Sequence, residues 1–190
     1  MEGKREPGGD REGGGLGARV GTTALSFVSG RATCICRGGG GGVINRVQKK
    51  AALGESFTSL SASANTFSAY NATVDTNFVV SDAVAVRVNA YYQGLENHRD
   101  FYDGERLGIN PTARFALSDD TTLDVSYEYA NHRRFIDRGI PTGSDGRPVE
   151  AFEDITFGDP ELNFNDLEAH LLRANLQHNF SDNWKGVFSA

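Results

Sequence analysis

At 190 residues the chain is long enough for one ordinary domain, and with a mean hydropathy of −0.41 it has no apolar run near the ~18 residues that a membrane helix needs. This excludes a helical membrane protein but not a membrane β-barrel, whose strands alternate apolar and polar residues and average to a soluble-looking composition. The net charge of −6 is unevenly spread, 9 Lys/Arg against 4 Asp/Glu over residues 1–50 and 10 against 21 over residues 51–190, and an acidic main body argues against nucleic acid as the partner.

Residues 1–42 hold 14 of the 23 glycines and no sustained apolar period. Such a segment cannot bury enough surface to offset its ordering entropy, so residues 1–37 are expected to be disordered. The charged start and the interruption of the mildly apolar residues 16–28 by Gly17, Arg19 and Gly21 make a poor export signal. Cys34 and Cys36, one residue apart, are badly placed to bridge each other and lack the neighbouring His and Cys of a zinc site. Gly38 to Gly42 is not a phosphate loop, because no Gly-Lys-Ser/Thr follows it. A short β-prone run, residues 43–47, then closes in Gln48-Lys49-Lys50.

From Ser56 the hydrophobic period becomes two, which predicts strands with chemically different faces. Residues 57–67 are serine-rich on one face and weakly apolar on the other. Residues 70–80 set Ala72, Val74, Phe78 and Val80 against Asn71, Thr73, Asp75 and Asn77, and residues 83–93 set Val84, Val86, Val88, Ala90 and Tyr92 against Arg87, Asn89, Tyr91 and Gln93. The alternation recurs over 108–117, over 121–130 and over 172–180, with a last strand around Trp184. Three short Ser-Asp turns, at Ser81-Asp82, Ser118-Asp119-Asp120 and Ser181-Asp182-Asn183, join consecutive runs directly, whereas residues 96–106 and 133–166 are long connections.

Short turns at one end and long loops at the other are the asymmetry of an outer-membrane barrel. The fold class expected is therefore all-β, an antiparallel meander forming part of a transmembrane β-barrel, preceded by a disordered Gly-rich segment. A soluble β-sandwich also alternates, but charged residues at mid-strand on the polar face, strands of ~10 residues and the repeated turn asymmetry favour the barrel. Tyr70, Tyr92, Tyr127, Tyr129 and Trp184, near strand ends, suit an interfacial girdle. Arg87, Arg114 and Arg173 on the polar faces are expected to pair with Asp75, Asp124 or Glu128 inside the barrel.

These residues resemble a known family, the TonB-dependent siderophore receptors of Gram-negative outer membranes. Gly38 through Lys50, with its Gly-Gly-Val-Ile-Asn block, is similar to the end of the family's plug domain. Gly108-Ile109-Asn110-Pro111-Thr112 is similar to a returning barrel strand and Ser118-Asp119-Asp120-Thr121-Thr122-Leu123 to the next turn. Asp137-Arg138-Gly139-Ile140-Pro141, Gly146-Arg147-Pro148 and Phe157-Gly158-Asp159-Pro160 are similar to an external loop of the hydroxamate and catecholate subgroup. The resemblance divides the chain into a non-native segment 1–37, a plug remnant 38–50 and the first seven or so barrel strands over 51–190, against ~22 strands in outer-membrane transporters of this class. It implies a fragment that does not transport by itself, because an open sheet leaves unpaired edges.

The same resemblance implies that the parent receptor sits in the cell outer membrane, in contact with its lipid. It implies a ferric siderophore as ligand and the TonB energy-coupling complex as partner through the missing plug, with no cofactor, no catalysis and no nucleic acid. Aromatic and cationic residues of the two long connections are the expected ligand contacts: His98, Arg99, Phe101, Tyr102, His132, Arg133, Arg134, Phe135 and Arg138. External loops are also charged simply to be solvated, so each of these has a bland reading. No nucleophile-centred motif such as Gly-x-Ser-x-Gly supports a hydrolase. A passive porin or adhesin barrel and a soluble β-sheet binding module are the alternatives, and the plug-terminal motif is what separates the receptor from a porin.

Overall fold

The computed structural model describes residues 22–28 and 43–190, with side chains from Val47 onward. β1 (Thr22–Val28) pairs antiparallel with β2 (Val43–Gln48) in a two-stranded sheet. The disorder expected over residues 1–37 otherwise falls outside the described residues, and so do both cysteines. Within that stretch, β1 is extended and paired rather than irregular.

The body is one antiparallel meander of seven strands in sequence order. They are β3 (Phe57–Ala64), β4 (Tyr70–Ser81), β5 (Val84–Glu96), β6 (Asp103–Ser118), β7 (Thr121–Phe135), β8 (Phe164–Ser181) and β9 (Trp184–Ser189). Each two-residue turn lies where the Ser-Asp signals predict it, and in each case the ladder shifts register just before the serine, at Val79/Ser81, Ala116/Ser118 and Asn179/Ser181. The side chains finish the turns. Ser81 Oγ accepts the Ala83 N–H at 3.3 Å, and Ser118 Oγ donates to Thr121 Oγ1 at 2.9 Å. The opposite end of the sheet carries residues 65–69, 97–102 and 136–163, so the expected asymmetry holds.

Polarity is inverted relative to a water-soluble sheet. One face carries Val80, Leu117, Leu172, Phe180, Trp184 and Phe188, all well exposed, with Leu172 at 73% and Trp184 at 74%. The other face buries Asn77, Asn89, Asn110, Thr112 and Glu128. Among the described residues the buried apolar side chains are only Ala51, Ala85 and Phe135. A sandwich would need a second layer over the apolar face, and contiguous exposed apolar surface of this extent marks a lipid or partner boundary. The apolar stripe runs over residues 84–92 of β5 and 107–117 of β6, which matches the ~9–11 residues of a tilted membrane strand.

Strands 5 to 8 continue past this stripe, and here the structure departs from the sequence reading. β6 begins at Asp103 rather than Gly108, β7 runs on to Phe135, and β8 begins at Phe164 rather than Leu172. Above the stripe both faces are polar, as in the pairs Arg106↔His132 and Arg133↔Asp166, so the period-two signal disappears while the backbone ladder continues. The two long connections shrink to residues 97–102 and 136–163.

Pro111 sits in the middle of β6, where its missing N–H should leave a gap toward β7. Ladder partners are recorded at Ile109↔Tyr129 and at Thr112↔Ser126 but not for the two residues between. The fully buried Asn110 closes the gap, its Nδ2 donating to the Tyr127 carbonyl at 2.9 Å. The Asn-Pro pair in Gly108-Ile109-Asn110-Pro111-Thr112 is thus one unit, a lost backbone donor and its side-chain substitute.

Candidate functional site

The inner, polar face has two levels. At the lower level each predicted arginine finds its carboxylate. Arg87 Nε and Nη2 donate to Asp75 Oδ1 and Oδ2 at 2.8 and 2.7 Å, Arg114 Nε and Nη2 to Asp124 Oδ1 and Oδ2 at 2.7 and 3.1 Å, and Arg173 Nη1 to Glu128 Oε2 at 3.2 Å. Planar guanidinium against carboxylate gives the two-point geometry that makes the first two strong.

The chain leaving β2 lies across these pairs. Gln48 Nε2 donates to Glu128 Oε2 at 3.0 Å, Lys49 Nζ to Asp75 Oδ2 at 2.8 Å and Lys50 Nζ to Asp124 Oδ2 at 2.7 Å. Arg87 Nη1 also donates to the Lys50 carbonyl at 3.1 Å. Each carboxylate therefore serves one arginine of the wall and one residue of the incoming segment. The following residues are pinned by Asn77, whose Oδ1 accepts the Ala52 N–H at 3.0 Å and whose Nδ2 donates to the Ala52 and Glu55 carbonyls. Sequence reasoning found the arginine–carboxylate pairs from strand parity. It did not assign Gln48, Lys49 and Lys50 to them, because a contact across 26 to 80 residues leaves no local pattern.

At the upper level the nine predicted ligand residues are dispersed. His98, Arg99, Phe101 and Tyr102 lie in the 97–102 turn, with His98 edge-on to Phe67 at 6.1 Å and Phe101 exposed at φ +62. Arg99 is half-buried and structural: its Nε lies 3.0 Å from Asp137 Oδ2, their side chains only 8% and 13% exposed, and its Nη2 donates to the Ile155 carbonyl. Asp100 N–H donates to the Asp154 carbonyl at 2.7 Å, and Thr156 Oγ1 to the Asp100 carbonyl at 2.6 Å. These bonds sew the turn to residues 136–163, and Arg138 stays exposed in that longer loop.

His132, Arg133, Arg134 and Phe135, expected in an external loop, are the last four residues of β7, and strand alternation splits them. Arg133 points outward, lying over the Phe164 ring at 4.6 Å and 3.8 Å from Asp166 Oδ1. Phe135 is 1% exposed and edge-on to Phe164, which leaves it no free surface in this conformation. His132 faces inward, above the membrane stripe, within 2.7 Å of the Tyr91 hydroxyl. Burial first, then the charges of Arg106 and Arg134, hold its imidazole below the ordinary range.

No family model matches the chain. It is 33% identical over 153 residues to the metal-pseudopaline receptor CntO of Pseudomonas aeruginosa, an alignment covering 78% of this chain and 21% of that receptor. It is 29% identical over 153 residues to PiuA of Acinetobacter baumannii, named as a probable TonB-dependent siderophore receptor, with 75% and 20% covered. Its fold overlays the open-form crystal structure of the ferric-catecholate import receptor Fiu from E. coli K12 with a TM-score of 0.71 at 24% identity, covering 80% of this chain and 25% of that one. The chain spans about a fifth of the length of the curated relatives it matches.

Proposed function

The chain belongs to the family of TonB-dependent siderophore receptors, and from that premise we propose that it supplies the end of a plug domain and the first seven strands of an outer-membrane barrel that captures ferric siderophores. Residues 38–50 are the plug remnant and residues 51–190 the barrel wall in this reading. The whole receptor binds its iron chelate on the loop side and releases it inward when TonB, acting on the plug, spends inner-membrane energy. No covalent chemistry is required, and the relatives are receptors rather than enzymes.

The observation that carries this reading is the Gln48–Lys50 segment lying across the lumenal carboxylates. A simple porin has no structured element entering its lumen ahead of the first strand, whereas this wall places three carboxylates where such an element arrives. The test is iron-limited growth and radioactive ferric-siderophore uptake in a Gram-negative strain stripped of its own siderophore receptors and supplied with the whole receptor. Uptake that disappears on deletion of TonB is the expected result. Solute passage that is unsaturable and indifferent to TonB would make the protein a passive channel.

A further inference from the structure

The apolar face of the sheet is not evenly filled. At the loop end of the stripe, where β3 to β6 run side by side, the register sets Leu60 across from Val74, Val74 across from Ala90, Ala72 across from Tyr92 and Tyr92 across from Leu107. The two alanines leave a dent between larger neighbours. The result is an open groove of about 280 Å³ lined by Leu60, Ala72, Val74, Ala90, Tyr92 and Leu107.

The upper end of this groove is polar. A Cβ at Gly94 would run into the Tyr70 ring, so glycine lets Tyr70 lean across β5 until it meets Tyr92, with ring centroids 5.7 Å apart. The Tyr70 hydroxyl donates to the Tyr92 hydroxyl at 3.4 Å, and Glu105 stands one step above them on the same face. An apolar slot therefore ends in two hydroxyls and a carboxylate, the arrangement of a site that is dry below and wet above.

Whatever fills the lumen does not reach this face, and in the receptor reading lipid lies against it. Long loops mark the external side, so the loop end of the stripe meets the outer leaflet. The lipid of that leaflet in a Gram-negative outer membrane is lipopolysaccharide, whose lipid A carries saturated, partly 3-hydroxylated acyl chains on a glucosamine disaccharide.

We propose that the groove is a specific lipid A site, with one acyl chain lying along Ala72 and Ala90 and its hydroxyl or linkage carbonyl hydrogen-bonded by the Tyr70–Tyr92 pair. Glu105 accepts from a sugar hydroxyl or amide above. The inference rests on the siderophore-receptor reading. A straight chain seated in the dent touches protein on three sides rather than one, and dispersion grows with every such contact.

The experiment is native mass spectrometry of the whole receptor, washed in detergent until loosely held lipid is stripped and then offered lipid A or phosphatidylethanolamine. Wild type retains one more lipid A than the Ala72→Leu/Ala90→Leu variant, whose leucines fill the groove and suit a lipid-facing surface. Tyr70→Phe and Tyr92→Phe keep the slot and weaken retention by about threefold to tenfold. Val80→Leu, on the same face outside the groove, matches wild type. Heat-modifiable migration on gels verifies that each variant keeps a closed barrel. Equal lipid A counts in wild type and the double-leucine variant overturn the site, and so does phosphatidylethanolamine held as firmly as lipid A; both results leave the receptor reading standing. Recovery of the whole protein from the soluble fraction overturns the receptor reading and the lipid site with it.

Discussion

If Asn110 substitutes for the donor that Pro111 lacks, the two positions must be energetically coupled. Asn110→Ala removes the 2.9 Å bond to the Tyr127 carbonyl and leaves that oxygen without a donor from β6. An unsatisfied group of this kind costs about 1–3 kcal/mol. Loss of Asn110 Oδ1, itself buried without a partner, offsets part of this, so a net cost of about 1–2 kcal/mol is expected. Pro111→Ala restores a backbone N–H facing Tyr127 and relaxes the unfolded chain, a change worth about 0.5–1 kcal/mol in the opposite direction. In that background Asn110→Ala should cost less than about 0.5 kcal/mol, because the ladder then carries its own bond. The four proteins form a double-mutant cycle read by urea unfolding of the folded barrel in lipid, with a coupling of about 1–2 kcal/mol. Additivity within about 0.3 kcal/mol would refute the substitution argument.

Asp124→Asn takes the carboxylate from both Arg114 and Lys50 and should destabilise the docked segment by about 1–3 kcal/mol, seen as faster tryptic cleavage after Lys49 and Lys50 with the barrel intact. Arg99→Ala breaks a nearly buried ion pair and the bond to Ile155, and by about 2–4 kcal/mol it should release two segments together. Amide hydrogen exchange must then rise over residues 97–102 and 150–156 in concert; a rise in one alone would show that they are not sewn together. His132 has a lowered folded pKa, so the folded protein binds fewer protons than the unfolded chain just below pH 6.5. Stability at this site is therefore highest above pH 6.5 and falls as the pH drops toward the folded value. An NMR titration of the His132 ring should give a midpoint below 6.5, and Arg106→Gln should raise it.

The sheet was legible wherever one face is apolar and the other polar. Leu123, Val125, Tyr127 and Tyr129 against Asp124, Ser126 and Glu128 leaves no choice but a strand, and the same parity foretold the partners of Arg87, Arg114 and Arg173. The three Ser-Asp turns were legible because their chemistry is local. Where both faces meet water the signal vanished, which is why His132 to Phe135 read as loop although they are strand. Arg99 read as a ligand contact because nothing local shows that Asp137 and Ile155 will close over it. Gln48, Lys49 and Lys50 read as a polar terminus for the same reason.

That segment also fixes an order of assembly. Every neighbour in the meander is a neighbour in sequence, so the wall can grow hairpin by hairpin, with each closure spanning a short stretch of chain. The berth for Gln48 to Lys50 is different, because one carboxylate comes from β4 and two come from β7, and the Gln48–Glu128 contact spans 80 residues. Lys49 can find Asp75 once the β4–β5 hairpin closes, but the berth is complete only when β7 has joined. The segment that precedes the wall in sequence is therefore among the last to be seated, and until then the wall remains open to whatever segment is to occupy it.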